Sequence, residues 1–182
     1  TLPDGEVGIR APEGHGPIAE EHSFAVMSDG SFFCVYRTIS GYSACSYSRD
    51  KGRTWSTPLR MQFADGRPIK HPRAANFAWR CNNGKYLYWF HNNGGPYVQY
   101  MHDRDAGYPY SNRNPVWLSG GVEVNSPNGR IIQWSEPDIV LYDHDPMVRM
   151  SYPDFFEEEG GYYVSETQKD VARIHQLDPR IV

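Results

Sequence analysis

Apolar and polar positions alternate in short runs along this chain. Each run is closed by Gly, Asn or Asp, and no segment sustains a helical period. Three stretches, HSFAVMSDGSFFCVYRT (22–38), NFAWRCNNGKYLYWFHN (76–92) and YPDFFEEEGGYYVSETQ (152–168), align without a gap on Gly30, Gly84 and Gly160. Each reads as a β-hairpin.

The repetition extends past the hairpins. After the first come YSACSYS, the turn SRDKGRTW and RTWSTP; after the second come VWLSGGVEV, the turn NSPNG and RIIQWSEP. Trp55, Ser56, Thr57 and Pro58 therefore correspond to Trp134, Ser135, Glu136 and Pro137, and Arg73 and Arg149 each precede the aligned glycine by eleven residues. A repeated unit of four antiparallel strands, A to D, predicts an all-β chain folded as a β-propeller. The expected boundaries are residues 1–19 for the tail of a preceding blade or a linker, 20–60 for one blade, 61–142 for a second with a long 92–115 loop, and 143–182 for a partial third. About three blades are too few to close a ring, so the chain reads as a fragment of a longer propeller; one open β-sandwich is the alternative.

Composition narrows the partners. The 182 residues suffice for one domain or part of one, and the net charge of −4 with scattered Lys and Arg excludes a nucleic-acid footprint. No apolar run approaches a membrane span, and the start at Thr1 without Met suggests a processed or excised segment, with a secreted or periplasmic protein as the expectation. Cys34, Cys45 and Cys81 lack metal-ligand spacing and read as buried free thiols, with a Cys34–Cys45 disulfide as the alternative. No cofactor is called for; structural calcium or zinc is compatible with the pattern and not implied by it.

The run SRDKGRTW contains no obvious nucleophile or acid. Its Asp can accept from backbone N–H groups ahead of it, and its Gly can turn the chain. The pattern S-x-D-x-G-x-T-W, met by Ser48, Asp50, Gly52, Thr54 and Trp55, resembles the Asp-box of the sialidase (neuraminidase) superfamily. The resemblance implies a propeller of six or seven blades in the full protein, with this turn a structural element between strands C and D, remote from the active site. NSPNG (125–129) occupies the corresponding place without the Asp and Thr.

Hairpins in a meander alternate ends, so the A–B and C–D turns share one face and the D–A and B–C connections the other. On that second face fall Glu20, Glu21 and His22; Arg37 and Thr38; His71, Arg73 and Asn76; His91 and Asn92; Asp145, Arg149, Tyr152 and Asp154; and Glu166, Thr167, Gln168 and Lys169. The long loop after the second hairpin adds Tyr108, Tyr110 and Arg113. Such loops are commonly lids or binding walls.

Arg73 and Arg149, with Arg37 and Arg113, form a candidate clamp for a carboxylate, because a guanidinium binds one bidentately and stays charged. Glu21, His22, Asn76 and Asn92 complete the expected substrate-binding set. His71 and His91 could donate and accept a proton near neutral pH, and Tyr152 with Glu166 could act as nucleophile and base, the arrangement that the sialidase resemblance implies. HPRAANF, WFHNN and the run 149–169 are also similar to propeller-type ulvan lyases and related rhamnosidases. By that similarity His71, His91 and Arg149 would carry catalysis or neutralise a carboxylate, with Tyr108, Tyr110 and Tyr152 competing for the tyrosine role.

The expected activity is cleavage of a glycosidic bond at an acidic sugar in an oligo- or polysaccharide. Sialidase-like hydrolysis comes first, eliminative cleavage of a uronate-containing glycan second, and a non-catalytic glycan-binding propeller third, since fold does not fix function. The remaining blades of the parent chain are the other expected partner.

Overall fold

The computed structural model describes residues 20–38, 41–94, 112–145, 147–168 and 170–182. Three antiparallel sheets follow one another along the chain. The first is β1 (Glu20–Val26), β2 (Phe32–Arg37), β3 (Ala44–Ser48) and β4 (Leu59–Arg60), in that order. The second runs β5 (Phe77–Arg80), β6 (Tyr86–Phe90), β7 (Val116–Ser126) and β8 (Gly129–Trp134), with β9 (Asp138–Leu141) also paired to β7. The third is β10 (Ser151–Glu158), β11 (Gly161–Gln168) and β12 (Val171–Gln176), followed by a 3-10 turn at Pro179–Ile181.

The middle sheet explains why β6 reads YLYWF without alternation: it is buried on both faces. Tyr86, Tyr88 and Phe90 point into a core shared with the first sheet, together with Phe33, Val35 and Trp134. Leu87 and Trp89 point into a second core with Val116, Leu118, Val164 and Leu177, shared with the third sheet. Each fully buried large side chain contributes roughly 1.5–3 kcal/mol relative to exposure. Packing successive sheets face to face thus holds the array together.

The three aligned glycines turn their hairpins at positive φ, +78° at Gly30, +85° at Gly84 and +79° at Gly160. The two W-S-x-P copies also coincide. Ser56 donates its N–H to the Tyr47 carbonyl and accepts the Tyr47 N–H on Oγ, while Ser135 makes the same pair of bonds with Gly120. In the SRDKGRTW turn, Asp50 accepts the Thr54 N–H at 2.8 Å, the Thr54 hydroxyl at 2.7 Å and the Ser48 hydroxyl at 2.9 Å. These bonds, led by the Thr54 N–H, hold the Asp50 carboxyl down at about 2.

The disulfide alternative fails on register. Cys34 stands opposite Ser46 and Cys45 opposite Val35, so the two sulfurs lie on opposite faces of one sheet, and all three cysteines are free and buried. Burial pushes each thiol up to about 12.

Candidate active site

Two strand starts build the site. Pairing of β1 with β2 slips by one residue between Glu20 and Ser23, and pairing of β10 with β11 slips by one between Ser151 and Asp154. Each slip is a β-bulge. In each, the residue after the first paired position adopts a left-handed backbone: Glu21 at φ 54° and Tyr152 at φ 45°. A non-glycine residue held there costs on the order of 1–3 kcal/mol and is sustained by its surroundings. Glu21 and Tyr152 are thus structural equivalents on the first and third sheets.

They also touch. Tyr152 is half exposed and donates its phenol O–H to Glu21 Oε1 at 2.9 Å. Arg37 Nη1 lies 2.9 Å from Glu21 Oε2, in an ion pair that is mostly shielded from solvent. The bond to Glu21 raises the Tyr152 phenol above its ordinary 10, against the pull of Arg37 and Arg113. Tyr152 is therefore a neutral phenol at neutral pH, with an acceptor already on its proton.

Arg113 is buried beside them. Its Nη1 donates to Ser151 Oγ at 2.8 Å and its Nη2 to the Arg73 carbonyl at 3.3 Å. The next two residues anchor it. Asn114 Nδ2 donates to the carbonyls of Asp143 and Asp145, and Pro115 O faces His91 Nδ1 at 3.3 Å. Arg37, Arg113, Glu21 and Tyr152 thus converge from three sheets at the end carrying the B–C and D–A connections. Arg73 and Arg149 are half-buried in the segments leading into β5 and β10.

Several expected residues lie elsewhere. Glu166 does not pair with Tyr152; it is fully buried, 3.6 Å from Arg173 Nη1 and 3.7 Å from His175 Nε2. Burial raises its carboxyl, with Arg173 and His175 opposing. The reason is strand alternation: Glu166 shares the side of Val164, which packs between the second and third sheets.

His71 and His91 do not line an open mouth. Both are buried, with rings stacked at 5.7 Å. His71 Nδ1 accepts the His91 N–H at 3.3 Å and its Nε2 faces the Ala74 carbonyl at 2.8 Å, which fixes a neutral imidazole protonated on Nε2. Burial pulls His71 down to about 3 and lowers His91 well below its ordinary value. Burial thus favours the neutral imidazole in both near neutral pH.

Asn76 is likewise buried and donates to Tyr88 at 3.0 Å, Ser43 Oγ at 3.2 Å and the Tyr36 carbonyl at 3.4 Å, bracing the first two sheets. Asn92 is half-buried with φ 49°, and His22 is exposed, its ring 5.3 Å from that of Tyr36. Tyr108, Tyr110, Lys169 and most of the 92–115 loop lie outside the described residues. Among the described residues, no group of three or more His, Cys, Asp or Glu is placed to hold a metal ion, and no helix is long and apolar enough to cross a membrane.

The pairing of Glu21 with Tyr152 and the bond from Arg113 to Ser151 are not predicted by the sequence pattern. A Glu and a Tyr each just after the start of a strand A was the available signal, hidden because the two hairpin turns differ in length and shift the gapless alignment by one residue.

No protein-family model and no curated protein matches the sequence. Solved structures do. The leech intramolecular trans-sialidase, complexed with 2,7-anhydro-Neu5Ac, superposes with a TM-score of 0.59 at 19% identity over 81% of this chain and 20% of its own. The intramolecular trans-sialidase of Ruminococcus gnavus, complexed with oseltamivir carboxylate, gives 0.58 at 20% identity over 87% of this chain and 30% of its own. NanB sialidase of Streptococcus pneumoniae gives 0.56 at 18% identity over 81% and 20%. This chain therefore spans between a fifth and a third of the length of these neighbours. At such identity the likeness speaks of architecture: three successive sheets of a sialidase-like, all-β propeller fold.

Proposed function

We propose that the parent protein is a glycoside hydrolase that cleaves at an acidic sugar, with Tyr152 as nucleophile and Glu21 as its base. The observation that carries this reading is the 2.9 Å bond from the Tyr152 phenol to Glu21, whose other oxygen is held by Arg37. A phenol suits an anionic sugar. A carboxylate nucleophile would be repelled by the carboxylate of the substrate, whereas a neutral phenol acquires charge only as its proton leaves.

In the first step Tyr152 Oη forms a bond to the anomeric carbon and its proton passes to Glu21 Oε1. The glycosidic C–O bond breaks, and the leaving oxygen takes a proton from an acid outside this pair. In the second step the conjugate base of that acid removes a proton from water, the water oxygen displaces Tyr152 from the anomeric carbon, and Glu21 returns its proton to the departing phenolate. Two displacements at one carbon retain its configuration. Arg37 and Arg113 supply fixed positive charge for the substrate carboxylate. The neighbours are two intramolecular trans-sialidases, one of them bound to 2,7-anhydro-Neu5Ac, and a sialidase, which supports a sialylated glycan as substrate. Such glycans are displayed outside cells, which favours a secreted or periplasmic protein.

The test is digestion of sialoglycans and of uronate-containing polysaccharides by the full-length protein, with released sugar and ultraviolet absorbance of unsaturated ends followed together. Sugar released with retained configuration and no absorbance supports the hydrolase. Rising absorbance would make it a lyase, and binding without turnover a lectin.

A further inference from the structure

Ser151 is assigned no role by the sequence pattern, yet it occupies the joint between two parts of the site. Its side chain is buried, and its hydroxyl accepts the Arg113 guanidinium at 2.8 Å. Its backbone is the last regular pair of β10 before the bulge: Ser151 lies opposite Thr167, and the next residue is Tyr152 at φ 45°. A hydrogen bond to an ionised donor is about twice as strong as a neutral one, and in a buried setting it also fixes direction. Arg113 stands three residues before β7 and places its second nitrogen on the Arg73 carbonyl. With Nη1 on a hydroxyl and Nη2 on a carbonyl, these two bonds help to define the plane of the guanidinium.

We infer that Ser151 is a positioning residue, whose hydroxyl locks the Arg113 guanidinium in register with Tyr152 so that substrate carboxylate and nucleophile are presented at a fixed separation. This rests on the proposed reading of the site as one for an acidic sugar. The geometry favours this role over a purely structural one. An apolar residue would fill the same buried volume, whereas the hydroxyl is turned onto a charged group that already has a backbone acceptor.

The test compares wild type, Ser151→Ala and Ser151→Thr in the full-length protein, with two readouts. The first is binding of the methyl α-glycoside of a sialic acid against its carboxamide analogue, by calorimetry. The wild type should prefer the carboxylate; Ser151→Ala should lose about tenfold of that preference, the equivalent of one charge-assisted hydrogen bond. Ser151→Thr, which keeps the hydroxyl, should restore it. The second is titration of the Tyr152 ring by nuclear magnetic resonance with carbon-13-labelled tyrosine, assigned through Tyr152→Phe. Because Arg113 pulls the phenol down, Ser151→Ala should titrate above wild type and Ser151→Thr with it. Equal acid and amide binding by the wild type would overturn the acidic-sugar reading. A carboxylate preference and a Tyr152 titration both unchanged in Ser151→Ala would overturn the role of Ser151 while leaving that reading standing.

Discussion

Two carboxylates in this molecule have the same kinds of partner and opposite meanings. Glu123, at the end carrying the A–B and C–D turns, accepts from the Tyr86 phenol at 2.6 Å, the Ser28 N–H at 2.7 Å, the Ser28 hydroxyl at 2.6 Å and Arg130 at 3.0 Å. Glu21, at the opposite end, has the Tyr152 phenol and Arg37. Tyr86 is buried in a regular strand, whereas Tyr152 stands half exposed on a left-handed residue in a bulge. The hydrogen bonds of the first cluster outweigh burial and hold the Glu123 carboxyl down at about 2. A carboxylate saturated with donors is a cross-brace between sheets. One with spare acceptor capacity beside an exposed phenol can receive a proton. The number of donors and the backbone around the phenol distinguish the brace from the pair proposed to do chemistry.

The largest predicted contrast is between the two phenols. Tyr152→Phe should abolish turnover by at least about 10³-fold and leave the melting temperature close to wild type, since the lost group is the proposed nucleophile and is half exposed rather than core. Tyr86→Phe should lower stability by about 1 kcal/mol with activity per folded molecule unchanged. Kinetics and thermal unfolding on both variants check this pair. Loss of activity in Tyr86→Phe without loss of stability would break the contrast.

Next come the carboxylates themselves. Glu21→Gln should reduce kcat by about 10²–10⁴-fold, the usual contribution of a positioned base. Glu123→Gln should cost about 1–3 kcal/mol of stability, because a carboxamide cannot accept from all four donors. Denaturant titration resolves the second effect and steady-state kinetics the first.

A pH series sharpens the comparison further by adding Glu166. The folded-state value of Glu123 is depressed from 4.5, so the stability it contributes is complete above that pH and is lost as pH falls toward about 2. Glu166 is raised from 4.5, so its protonated form is favoured by folding; that contribution is present below 4.5 and lost as pH rises through the raised value. Glu123→Gln should therefore approach wild-type stability in acid. Glu166→Gln should gain on wild type as pH rises. Unfolding midpoints of the three proteins between pH 2 and 7 provide the check.

The smallest expected effect on chemistry is at the SRDKGRTW turn. Asp50→Ala removes the acceptor of the Thr54 N–H and both hydroxyl bonds and should lower stability and expression, with kcat unchanged. A selective catalytic defect would contradict its place at the end remote from Tyr152.

Much of the architecture was legible because it repeats. Gly30, Gly84 and Gly160 needed positive φ, and the two W-S-x-P serines needed the same strand partners, so local chemistry at those positions reported the hairpins and the C–D pairing directly. The end of the molecule carrying Glu21, Arg37 and Tyr152 was legible for the same reason, since strand alternation sends each turn to a definite side. Which residues meet there was not. Tyr152 and Glu21 are 131 residues apart and join only through two bulges; a one-residue slip reverses a side chain, and bulges leave little trace in an apolar–polar pattern. Glu166 illustrates the converse. It stands near the end of its strand as the repeats imply, but the parity of the strand turns it into the interface between sheets. The histidines differ in another way: HPR and WFHNN offer titratable groups, and burial of the stacked pair favours their neutral forms.

The central claim, a phenol nucleophile served by Glu21, is tested most directly by trapping. Full-length protein would be incubated with a fluorinated sialic acid carrying a good leaving group, which slows release of a glycosyl–enzyme intermediate, and then analysed by intact mass and peptide mapping. The account predicts one added glycosyl mass, located on Tyr152 and absent from Tyr152→Phe. An adduct on another residue, or turnover of the same sugar by Tyr152→Phe at the wild-type rate, would contradict it.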